Sequence, residues 1–329
     1  MAQGVDCGLP WHYGSPLVEQ RALANGEGVV DVSNREVLRI SGPDRLTYLD
    51  ALGTQRLVDL AAGASSSTYF LDHRGVIQHG LALVTIDDSQ EQAVWGWTEP
   101  GRGSALIDYL ERMMFRMNVS IERRRDVRVV WVGASVAGRL DQSWPARFGP
   151  PSCLGGHEVF VPSSRFADAM GQGQPVGLWG HTARRIEVGT PRLGMDTDAR
   201  TLPNELGVPS EAVSLARGCY PGQETVAKVH NLGAPLRRLV RFWLDGSQEC
   251  FLEAGSPVTD PDSGATIGRL GSMSYHYELG PIGLGLVARD TDDAATVLVG
   301  GVPATLDPLV PRDAGLHVNR APRDLFHRA

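Results

Sequence analysis

The sequence predicts an α+β protein that ends in a small all-β module. Two observations carry this. Through about the first two thirds of the chain, strand-like runs, some joined as hairpins, alternate with helices patterned at i, i+3 and i+4. Beyond Gly233 the helical pattern stops, and strand-like runs follow one another between Gly, Pro and Asp turns. With 329 residues, the chain has room for about two domains or three small ones, and can bury ample core without covalent staples. The natural divisions are residues 1–233, 234–312 and a polar tail, 313–329.

The elements follow in order. Residues 37–40 read as a strand. Ser41-Gly42-Pro43-Asp44 then opens a helix carrying Leu46, Leu49 and Leu52, which Gly53 stops. Residues 67–71 and 76–86 are two strands around a turn at Asp72-His73-Arg74-Gly75, and 92–97 is a third. Residues 102–116 form a helix with Leu106, Leu110 and Met113 or Met114 on one face. Strands at 127–132 and 158–161 precede a helix over 178–188, ended by Gly189. Residues 236–244, 265–275, 282–288 and 295–302 are the strands of the terminal module.

Charge and composition remove several function classes. The formal net charge is −7, from 31 basic and 38 acidic residues, and all the basic residues but Lys228 are arginine. An acidic chain lacks the basic footprint of a nucleic-acid scaffold; the cluster Arg123-Arg124-Arg125 with Arg128 is interrupted by Asp126 and reads as a solvated strand edge. The four cysteines are far apart and make neither a disulfide framework nor a zinc ribbon. No basic-then-apolar leader opens the sequence, and no apolar run approaches the ~18 residues of a membrane span. The expectation is a soluble, cytoplasmic protein with no metal site of its own. Gly283-Leu284-Gly285-Leu286-Val287-Ala288 matches a dinucleotide fingerprint, yet turn residues rather than a helix follow it, so a glycine-rich strand is expected.

The informative segment is Arg217-Gly218-Cys219-Tyr220-Pro221-Gly222-Gln223-Glu224-Thr225-Val226-Ala227-Lys228. Ser210 can cap a short helix that Gly218 ends, and Pro221 suits the first turn of a second. Glu224 and Lys228 then sit i,i+4 in the polarity that complements the helix dipole, and Asn231 and Gly233 close the helix. Cys219 would precede a helix N-terminus beside Arg217, a setting that favours thiolate. The alternative is a small buried residue between two helices.

This segment resembles the K-G-C-[F/Y]-x-G-Q-E signature of the YgfZ family, folate-binding proteins linked to iron–sulfur cluster maturation. That family is similar to the T-protein, the aminomethyltransferase of the glycine cleavage system. Val30-Asp31-Val32-Ser33, Arg185-Ile186-Glu187-Val188-Gly189-Thr190-Pro191, Pro203-x-Glu205 and residues 264–275 and 281–288 extend the resemblance over nearly the whole chain. It implies three subdomains around a central folate channel, two α+β units within 1–233 and a β-barrel over 234–312. It implies tetrahydrofolate or a one-carbon derivative as cofactor, with Glu187 holding the pterin; a carboxylate accepts the paired donors of a 2-amino/N3–H edge, although a solvated helix-end glutamate is the other reading. By the same resemblance Arg217, Tyr220, Gly222, Gln223, Glu224 and Lys228 belong to the folate-binding set, Cys219 is the functional thiol, and iron–sulfur proteins or their assembly factors are the partners.

Two departures bear on chemistry. Arg217 replaces the usual lysine. In Arg74-Gly75-Val76-Ile77-Gln78-His79-Gly80, Gln78 and His79 stand where the T-protein's acidic pair would be, and glutamine supplies no acid or base. The expected function is therefore tetrahydrofolate-dependent support of iron–sulfur protein assembly or repair. A folate-dependent aminomethyltransferase and a non-catalytic folate-binding interaction module are the alternatives, and whether a reaction is catalysed stays open.

Overall fold

A computed structural model describes residues 4–87, 92–247 and 251–315. In chain order, α1 (Pro16–Ala24) leads through β1 (Gly28–Asp31) and β2 (Glu36–Ser41) to α2 (Arg45–Leu52). Then come β3 (Ser65–Leu71), β4 (Ile77–Asp87), β5 (Gln92–Thr98), α3 (Gly103–Met113), β6 (Ser120–Arg123) and β7 (Val127–Gly133). α4 (Ala134–Ala137), β8 (Ala146–Phe148), β9 (Gly156–Pro162), α5 (Phe166–Met170), β10 (Gln174–Val176) and α6 (Leu178–Glu187) follow, then α7 (Gln223–Leu232). The chain continues through β11 (Arg237–Leu244), β12 (Pro257–Thr259), β13 (Thr266–His276), β14 (Gly280–Ala288), β15 (Thr296–Val299) and β16 (Val302–Pro308).

The strands make three sheets. One has the order β10-β1-β7-β9-β8, a second β3-β4-β5-β2-β6, and the last six strands close into a barrel. The mixed sheets and the terminal barrel are the expected α+β class. The short link between β1 and β2 carries the chain from the first sheet to the second, so the two share a seam. Trp95 of the second sheet and Phe160 of the first lie in one apolar cluster across it.

Periodicity located most elements correctly because their apolar faces are the buried ones. On α3, Leu106 and Leu110 are buried, Met114 packs against the same cluster and Met113 is exposed. Tyr48, Leu49 and Leu52 of α2 meet that cluster with Phe70 and Leu83. The dinucleotide-like glycines lie in β14, where Gly283 pairs with Phe242 and Gly285 with Val240. A Cβ on Gly285 would fall 2.3 Å from the Arg269 carbonyl oxygen; here the glycine permits close strand approach, not phosphate binding.

One expected helix is absent. Residues 211–217 form turns, and α7 starts only at Gln223. The cause lies in tertiary pairing: Ser67 N–H donates to the Glu211 carbonyl and Ser214 N–H to that of Thr54, so this stretch spends its backbone on the second sheet. Of the expected tail, Gly315 lies beside Val229 and Gly233 of the α7 end; residues 316–329 fall outside the described residues.

Candidate functional site

A cavity of about 300 Å³ lies where the sheets and α6 meet. β3 contributes Ser67 to Tyr69, β4 Gly80 to Ala82, β5 Trp97 to Thr98 with Glu99 next, and α6 supplies Leu178, His181 and Arg185. The stretch after α6, from Val188 to Leu193, closes another side, with Leu206 and residues 209–212 opposite. Apolar walls with few polar groups are the usual make-up of a small-molecule site, and the volume is at the lower end of the common range.

Each arginine at this cavity is tied to a carboxylate. Arg192 donates to both oxygens of Asp6 at 2.6 and 2.8 Å and to Glu99 at 2.6 Å. Two carboxylates meet one guanidinium in that corner, a surplus negative charge that suits a ligand edge rich in N–H donors. Burial alone would raise the Asp6 carboxyl, but hydrogen bonding and charge from Arg192, with Asn34, hold it below the usual range. Arg185 bonds Asp196 at 2.7 Å, the Thr190 carbonyl at 2.8 Å and the Ser272 hydroxyl of the barrel, so it ties α6 to two other elements.

The third arginine, Arg35, reaches Glu158 at 2.6 Å and lies 3.8 Å over the Trp97 ring, a stacked geometry that adds a cation–π attraction. Glu158 also accepts from Arg147 and from the Trp97 indole N–H, each at 2.8 Å. Burial pushes its carboxyl up, but Arg35, Arg147 and the indole outweigh this, so it stays ionised below the normal carboxylate pKa.

The motif segment lies elsewhere. Arg217 is buried and donates to the carbonyls of Gly53, Gln55, Asp50 and Gly218 and to the Asp50 carboxylate. Tyr220 is buried in an apolar cluster with Leu71, Ile77 and Val226, its ring 5.1 Å from the Arg217 guanidinium. Between these two anchors Cys219 is a free, exposed thiol. Gly222 caps α7 at φ +80°, and a Cβ there would fall 2.5 Å from the Asp72 carbonyl oxygen; only glycine fits this conformation at this approach without strain. Cys219 therefore precedes α7 by a full turn of loop, not by one residue. Glu224 and Lys228 are both exposed, and no ion pair joins them.

None of Cys219, Glu187, Arg217, Tyr220, Gly222, Gln223, Glu224 or Lys228 lines the cavity. Glu187 ends α6 one residue before the wall; its carboxylate takes Arg184 at 2.7 Å and stands 3.5 Å from His276 Nε2. Gln78 is exposed, and His79 lies against Tyr109 of α3, the ring centroids 5.5 Å apart. Burial, with Arg102 and Arg112, lowers the His79 pKa. Asp6, Arg35, Trp97, Glu99, His181 and Arg192 line the cavity without forming a motif, because they come from five separate segments. One signal was present locally: His181 and Arg185 are i,i+4 on the buried face of α6.

No protein-family model matches the chain. It is 26% identical over 319 residues to the human mitochondrial iron–sulfur cluster assembly factor IBA57, covering 83% of each chain. It is 23% identical over 259 residues to the aminomethyltransferase of Nitrosococcus oceani, covering 68% of this chain and 69% of the other. The crystal structure of glycine cleavage system aminomethyltransferase T from Bartonella henselae superposes with a TM-score of 0.77 at 18% identity, over 97% of this chain and 95% of that one. The fold is thus that of the T-protein, and the relatives extend across the YgfZ and T-protein superfamily.

Proposed function

Taking the T-protein fold and this mixed kinship as premise, we propose that the chain is a tetrahydrofolate-binding protein of YgfZ type. On this reading it acts in the cytoplasm and supports assembly or repair of iron–sulfur proteins, with Cys219 as its working thiol. The observation that carries it is the direction of β4. The residues in place of the T-protein's acidic pair do not line the cavity: Gln78 is exposed and His79 faces α3. A site without that acid is poorly equipped for aminomethyl transfer but still has the walls and polar corners of a binding pocket.

The flat walls around Trp97 and Tyr69 and the carboxylate-rich corner fit a pterin. Glu187, the carboxylate that the resemblance assigns to the pterin, ends α6 one residue outside the cavity wall; about a third of its side chain is exposed, so on this reading it would have to leave Arg184 and turn toward the ligand. Cys219, held between Arg217 and Tyr220, offers a surface sulfur to a partner protein or its iron.

Anaerobic calorimetry with tetrahydrofolate tests the first half: no uptake by the wild type, or unchanged uptake by Glu187→Gln, removes the corresponding assignment. A deletion strain tests the second. Iron–sulfur enzyme activities are expected to fall and to be restored by wild type but not by Cys219→Ser. Methylene-tetrahydrofolate formed from an aminomethyl donor would instead favour the transferase alternative.

A further inference from the structure

One corner of the cavity keeps two polar oxygens unspent. Ser67 N–H donates to the Glu211 carbonyl at 3.1 Å, which sets Glu211 beside β3. Tyr69, two residues on, shares the Ser67 face of that strand, and Ser67, Tyr69 and Glu211 all line the cavity. The Glu211 carboxylate is held by one oxygen only. Its Oε2 accepts from the Ser152 hydroxyl at 3.0 Å and the Ser152 N–H at 3.3 Å. Ser152 Oγ in turn accepts from Arg147, a fully buried guanidinium that also binds Ser67 and Glu158. Among the described residues, Glu211 Oε1 and the Tyr69 hydroxyl have no hydrogen-bond partner, and neither oxygen is sealed inside the protein. Burial, and then Glu211, hold the Tyr69 phenol above its usual pKa, so it stays neutral. A carboxylate fixed through one oxygen and open at the other can only accept there.

We propose that Glu211, with Tyr69 beside it, selects the reduced over the oxidised form of the ligand in this cavity, by accepting a hydrogen bond from a ring N–H that only the reduced form carries. The inference rests on the folate reading for the identity of that ring. Folic acid has bare nitrogens, acceptors only, at N5 and N8; tetrahydrofolate carries an N–H at each. These belong to the saturated ring, not to the 2-amino/N3–H edge assigned to Glu187, so the two carboxylates do not compete for one edge. A bare ring nitrogen at Glu211 Oε1 sets acceptor against acceptor and leaves both without a donor, and such mismatches discriminate strongly. The Tyr69 hydroxyl can donate or accept, so it serves either form.

The test measures anaerobic binding of tetrahydrofolate and of folic acid to the full chain, as wild type, Glu211→Gln and Tyr69→Phe. The wild type is expected to prefer tetrahydrofolate by at least about tenfold. In the glutamine variant the Ser152 donors keep the side-chain carbonyl, so the amide NH2 turns to the ligand. Tetrahydrofolate is then expected to bind about ten- to hundredfold more weakly, and folic acid as tightly as before or more so. Tyr69→Phe weakens both alike, by about three- to tenfold. A merely structural Glu211 would lower both ligands together. A wild type without preference, equal losses in the glutamine variant, or a preference unchanged by it overturns the proposal. If the wild type takes up neither folate, the folate reading fails by itself, and benzamidine, a flat ring bearing only N–H donors, decides for the corner. A benzamidine-raised unfolding midpoint in the wild type but not in Glu211→Gln keeps Glu211 as the acceptor for a different N–H-bearing ring. No rise in the wild type, or an equal rise in both, refutes it.

Discussion

Replacing Arg217 by lysine tests whether the motif arginine acts through its shape or only its charge. The guanidinium makes five hydrogen bonds, to the carbonyls of Gly53, Gln55, Asp50 and Gly218 and to the Asp50 carboxylate. Its side chain is 2% exposed, so solvent does not replace what is lost. An ammonium has three protons at one point, on a shorter stem, and cannot span acceptors fixed around a planar fork. At least two bonds go. At about 1–2 kcal/mol each after relaxation and partial entry of water, the destabilisation is about 2–4 kcal/mol. It appears as a lower urea midpoint at unchanged slope. Asp50→Ala removes one acceptor of the same network, so the double variant is expected to lose less than the sum of the singles. A lysine variant within about 0.5 kcal/mol of wild type, the range of ordinary surface changes, would refute the reasoning: the site would then read charge alone.

Other expectations follow from the same contacts. Glu158→Gln strands Arg35 and Arg147 at a fully buried position and is expected to cost about 3–5 kcal/mol, read by urea unfolding. Arg192→Met releases Asp6 from the cavity wall; residues 4–9 are expected to be cut faster in limited proteolysis, with the rest of the chain intact. His181 has a folded-state pKa well below 6.5 through burial and then Arg35, Arg185 and Arg192. The unfolded chain therefore binds its proton first as pH falls. Stability drops below about pH 6.5 by up to about 1.4 kcal/mol per unit from this residue, and His181→Leu flattens that slope in denaturation at pH 7.0 and 5.5. Lys228→Arg, at an exposed position with no ion pair to Glu224, is expected to change stability by less than about 0.5 kcal/mol and to complement a deletion strain fully. A growth defect would show that the amine is needed.

Much of the architecture was legible in the sequence because the signals are local. Leu106 and Leu110 recur at helical spacing on α3, and the turn at Asp72 to Gly75 separates two strands. The glycines of β14 lie in a strand because turn residues follow them. The helix expected before Gly218 misled for the opposite reason: its propensity was overridden when Glu211 and Ser214 paired with β3 and the Thr54 loop, a choice invisible to any short window.

By itself the sequence determined the α+β class, four of the six barrel strands and the motif segment around Cys219, whose exposure it left open; β12 and β16 of the barrel were missed. Only the tertiary structure decided what the motif residues do and where a ligand can lie. Arg217, Tyr220 and Gly222 hold Cys219 on the surface, while the cavity takes its polar groups from segments as distant as Asp6 and Arg192. The physical reason is range. A helix face or a turn is written within a few residues, but a guanidinium finds its carboxylate, and an imidazole is left without a partner, only when the whole chain has folded.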